Sequence, residues 1–133
     1  MSHRVARVDD IPAGPAQTEG IEWHPVRNHL GITAFGTNAY VGRAPGDLVV
    51  EDHDEDEHEE LYVVLSGAAT FTVDGETFDA PQGTLVLVTP PSQRVAYATW
   101  PNTTILAVGA VPGRAFEVSA WEKRGLGAGA RQE

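Results

Sequence analysis

Two histidines and a carboxylate stand close together where an acidic stretch gives way to an apolar one. The stretch runs Glu51-Asp52-His53-Asp54-Glu55-Asp56-Glu57-His58-Glu59-Glu60, and Leu61-Tyr62-Val63-Val64-Leu65 follows it without a break. Imidazole nitrogens and carboxylate oxygens are the donors of divalent metals and the groups of general acid–base chemistry. In an extended chain residues i and i+2 share a face, so His58 and Glu60 converge if the strand begins that early, and Tyr62 shares the same face. A carboxylate pointing into a core needs a partner, or a large desolvation cost follows. The alternative is a solvated loop over 52–57 whose charges face water, with His58 exposed in it. His3, His24 and His29 have no spacing relation to the run and read as arm or surface residues.

The elements that must position these groups are short strands. Leu61–Leu65 ends at Ser66-Gly67, and Ala69–Val73 turns at Asp74-Gly75, a dipeptide suited to a tight hairpin. Glu76–Ala80, a Pro81-Gln82-Gly83 turn and Thr84–Val88 come next. Further strands are expected over 94–98 and 103–108, separated by Pro101-Asn102. Upstream, Glu22–Val26, His29–Phe35 and Thr37–Val41 read as strands, Pro25 placing the first at an edge. Residues 1–20 form an arm with a short edge strand at Val5–Val8, and 112–133 a tail that is mobile from Gly125 onward. No amphipathic helix and no second domain are evident. Short strands at this pitch specify an all-β sandwich or barrel. Leu61–Leu65 and Leu85–Val88 are apolar on both faces, which implies cover on both sides and suggests a homodimer.

Composition narrows the function. The chain has 133 residues and a formal net charge of -10, a balance that disfavours nucleic acid as a partner. It has no cysteine, so disulfides, thiolate metal sites and cysteine nucleophiles are excluded. No apolar run approaches the roughly 20 residues of a membrane-spanning helix, and the polar start at Met1-Ser2-His3-Arg4 has no signal-peptide character. A cytoplasmic protein with a small-molecule ligand is the expectation.

The residues resemble the cupin family, small barrels of jelly-roll (double-stranded β-helix) type. Six residues separate Glu60 from Gly67, as in the second half of the first cupin motif. Counting back, His53 occupies the first histidine slot, Glu55 the second, and Gly46 precedes them one residue early. Gly83 matches the start of the second motif, and an ungapped count places Thr89, Pro91 and Arg94 where Pro, Gly and His are usual. The resemblance spans about residues 46–108 and implies a cupin barrel with core 22–111. In metal-bearing cupins two His, the Glu and the later His hold one divalent ion. Here His53 and Glu60 remain from that set, and Arg94 cannot ligate because it stays protonated. With His58 they would make a two-histidine, one-carboxylate site suited to iron, manganese or zinc, with Glu55 as a further oxygen donor. Two function classes follow. One is a small-molecule-binding cupin without the full metal site, in which Arg94 pairs with Glu60 or grips a ligand carboxylate and Tyr62 contacts the ligand. The other is a metal-dependent enzyme, dioxygenase- or isomerase-like, held by His53, His58 and Glu60.

Overall fold

The structure, a computed structural model, describes residues 2–15, 20–55 and 57–126, with the side chain of Glu55 outside that description. Among the described residues, nine strands form two antiparallel sheets. The strands are β1 (Glu22–His24), β2 (Gly36–Gly42), β3 (Leu48–Glu55), β4 (Glu59–Ser66), β5 (Ala68–Val73), β6 (Glu76–Pro81), β7 (Leu85–Val88), β8 (Ser92–Ala98) and β9 (Thr103–Ala110). One sheet has the order β1-β2-β9-β4-β7 and the other β3-β8-β5-β6. The all-β jelly-roll architecture follows, with sequence-distant strands paired in both sheets.

Alternation decides the core. Along β7, Val86 and Val88 are buried while Leu85 and Leu87 are exposed, and along β4 Tyr62 and Val64 point inward. These meet Phe71 and Ala96 from the facing sheet and Ile105 from neighbouring β9 in one apolar cluster. Phe71 stacks on Phe78 with ring centroids 5.8 Å apart and tilts against Tyr62 at the same separation. The β5–β6 hairpin closes at Asp74-Gly75, both with positive φ (49° and 82°), as the sequence expects of a two-residue turn whose twist matches its strands.

Outside the barrel the structure departs from the sequence reading. Residues 26–30 form helix α1 (Val26–Leu30) instead of a strand. Pro25 precedes it and Gly31 ends it in the left-handed region (φ 73°), the flanks of a helix. Val5–Val8 forms no strand, and a single 3-10 turn spans Val8–Asp10. A second helix, α2 (Ala120–Leu126), contradicts the expected lack of helix in the tail. Gly125 and Leu126, the first residues of the segment expected to be mobile, lie in α2, and the rest of that segment is outside the described residues. His24 is also no surface residue. It is buried, bonding the Ile11 carbonyl through Nδ1 at 2.6 Å and Glu22 through Nε2 at 2.8 Å. Those bonds hold the arm against β1, helped by the Trp23 indole donating to the Pro15 carbonyl at 2.6 Å.

Candidate functional site

The acidic run is half strand. β3 carries it to Glu55, and its register with β8 pairs His53 with Arg94 after a shift between Val50 and His53. That irregularity re-aims the strand end. On β4, Glu60 and Tyr62 share the inward face, whereas His58 precedes the strand. His53, His58, Glu60 and Tyr62 all line one cavity of about 340 Å³, within the range of small-molecule pockets.

Glu60 is the centre of its polar end. Arg94 Nη1 donates to Glu60 Oε1 at 2.6 Å, and the Tyr62 hydroxyl donates to the same oxygen at 3.1 Å. His53 Nε2 stands 3.8 Å from it, the separation of an ion pair and longer than a hydrogen bond. His53 Nδ1 donates to the Glu51 carbonyl at 2.7 Å, which fixes the ring. The Glu60 acceptor facing the ring is the main cause of a raised His53 pKa; burial opposes it, and the Glu51 carbonyl adds to it. Tyr62 has its pKa raised chiefly by burial and then by the Glu60 charge, so its hydroxyl stays protonated as a donor.

Arg94 is fully buried, is not among the cavity-lining residues and also bonds the Ser92 carbonyl at 3.3 Å. A ligand carboxylate gripped by Arg94 is therefore not available in this geometry; the guanidinium acts on Glu60 from behind. Arg94 Nε has no hydrogen-bond partner among the described residues. The remaining wall comes largely from β1, β2 and the tail. Trp23 and Trp121 meet edge to face with centroids 5.1 Å apart. Phe116 closes over Gly36, where a Cβ would meet its ring at 3.2 Å. Asn38 and Tyr40 face inward from β2, across from Ala107 and Ile105. Helix α2 is fastened by a buried ion pair, Arg27 Nε to Glu122 Oε2 at 2.7 Å. The sequence signal for Asn38 and Tyr40 is strand alternation, while nothing local announces that Trp121 reaches Trp23.

These residues do not fit a divalent ion. Among the described residues no three His, Asp or Glu side chains converge as a metal group, and Arg94 sets a fixed positive charge on the Glu60 oxygen that would ligate.

Residues 39–94 match the family model for the cupin domain. The match covers less than half of the chain, and the jelly-roll fold agrees with it. No curated protein matches it. A sugar phosphate isomerase of the cupin superfamily from Silicibacter pomeroyi DSS-3 is 20% identical, with a TM-score of 0.68 over 80% of this chain and 74% of that one. A predicted oxalate decarboxylase from Thermotoga maritima is 17% identical, with a TM-score of 0.65 over 81% and 99%. A cupin protein from Bacteroides fragilis is 18% identical, with a TM-score of 0.61 over 90% and 92%. At these identities the likeness is one of fold.

Proposed function

We propose that this cupin binds a small organic molecule in the barrel cavity, with the Arg94–Glu60 pair standing where a four-ligand metal site would otherwise be. The observation that carries this is the 2.6 Å contact of Arg94 Nη1 with Glu60 Oε1 at the wall of a cavity of about 340 Å³. The pair orients Glu60, and the aromatic wall supplies apolar area for a ligand. The second reading is a metal-dependent dioxygenase- or isomerase-like enzyme. It draws on His53, His58 and Glu60 lining the same cavity, and Arg94 is the argument against it. A fragment screen followed by amide and indole NMR tests the first reading. Hits should shift the Trp23 and Trp121 resonances, and hits confined to Trp100, outside the cavity, would overturn it.

We further propose that the protein acts as a homodimer through the outer face of β4, β7 and β9. Leu85 and Leu87 are 64% and 60% exposed there, beside Val63 and Leu61 in register. An apolar surface of this kind marks an association site.

A further inference from the structure

Two acceptors in the cavity lining, on Glu60 and Asn38, have unused capacity. Glu60 Oε1 is taken by Arg94 and Tyr62, and Oε2 has no hydrogen-bond partner among the described residues. Asn38 is 6% exposed and its Oδ1 is buried without a partner. Burial raises the pKa of the Tyr40 hydroxyl, and the Asn38 side chain beside it lowers that pKa against the larger effect of burial. A buried unsatisfied carbonyl costs free energy until a donor reaches it.

Aromatic lining comes from Trp23, Trp121 and Phe116. Two of the carboxylates lining the cavity are already paired inside the protein, Glu60 with Arg94 and Glu122 with Arg27. A ligand carboxylate or phosphate set against Glu60 Oε2 and Asn38 Oδ1 would meet lone pairs and like charge. An ammonium group would meet Arg94 behind Glu60. A hydroxyl fits, since it donates to either acceptor and can accept from Tyr40.

Building on the small-molecule reading above, we propose that the ligand is an uncharged ring compound bearing hydroxyl groups along one edge. Its hydroxyls are held by Glu60 and Asn38, and its ring lies against Trp23 and Trp121.

Three probes of one shape test this. They are cis-1,2-cyclohexanediol, its dimethyl ether, which has no donor, and cyclohexanecarboxylate, an anion. Each is titrated into the wild-type protein while the indole N–H resonances of Trp23 and Trp121 are followed, with Trp100 as an internal control. The diol should shift both resonances saturably and bind roughly tenfold or more tighter than either comparator, because only it satisfies both acceptors. Asn38→Leu should remove most of that preference, and the probe comparison in the wild type stands even if the variant folds poorly. Equal binding of the ether, or tighter binding of the carboxylate, overturns this inference and leaves the small-molecule reading standing. If no probe shifts Trp23 or Trp121, both are overturned.

Discussion

Arg94 has no exposed surface, and removing it leaves Glu60 without its buried cation, with the Tyr62 hydroxyl, His53 and water at the cavity as what remains near the charge. Breaking a buried pair by deleting one partner costs ~3–5 kcal/mol, and the 21% exposure of the Glu60 side chain puts Arg94→Met toward the lower end. Urea unfolding measures it, and a loss below about 1 kcal/mol would mean the pair is not structural. His53 gives a pH signature. Its folded pKa is raised, so the stability it contributes is fully present below the unfolded value of about 6.5 and is lost as pH rises through the folded value. The melting-temperature gap between wild type and His53→Gln should therefore be larger at about pH 5.5 than at about pH 8.5. A gap independent of pH contradicts the contact with Glu60. Gly109 is required for close approach: a Cβ there would stand 2.9 Å from Glu60 Cγ and 2.9 Å from the Glu59 carbonyl oxygen. Because one of those atoms is backbone, Gly109→Ala should cost ~1–3 kcal/mol and displace Glu60, seen as a lowered melt and weakened diol binding. Glu60 and Arg94 are legible in the sequence alone, because the spacing of Glu60, Gly67 and Gly83 marks their positions. Trp23 and Trp121 are not, because their meeting depends on contact between distant segments.

At the scale of elements, the strands are legible because turn residues punctuate a strong apolar pattern; β4, β5, β7, β8 and β9 lie within a few residues of their expected bounds. The two helices escape the sequence reading for a physical reason. Each has seven residues or fewer, too short for a helical period to declare itself against a two-residue one. For α1 the Pro25 and Gly31 flanks hold the usable signal. Helix α2 owes its place to tertiary contacts, the Arg27–Glu122 pair and the Trp23–Trp121 contact. Glu122→Ala should therefore release α2 and open that side of the cavity while the barrel persists. Hydrogen exchange is the check: protection should fall over Ala120–Leu126 and stay unchanged in β4 and β9. Uniform loss across the barrel would contradict a local anchor.

For the whole molecule, the apolar outer sheet face and the net charge of -10 pull in different directions. The charge keeps copies apart at long range, and the exposed Leu85 and Leu87 reward contact at short range. Sedimentation should show a dimer at micromolar concentration, converted to monomer by the paired change Leu85→Lys and Leu87→Lys with the melt of the monomer retained. A wild-type monomer would contradict it. The same acidic charge draws divalent cations weakly to the whole surface, so the question of metal turns on the cavity alone. The most direct measurement is calorimetric titration of untagged protein with iron(II), manganese and zinc, beside Arg94→His. The account predicts only weak, salt-sensitive binding by the wild type. In the variant a neutral imidazole replaces the cation on Glu60, and affinity should rise about tenfold or more, equivalent to at least ~1.4 kcal/mol. Tight, salt-insensitive binding of one ion by the wild type would contradict it.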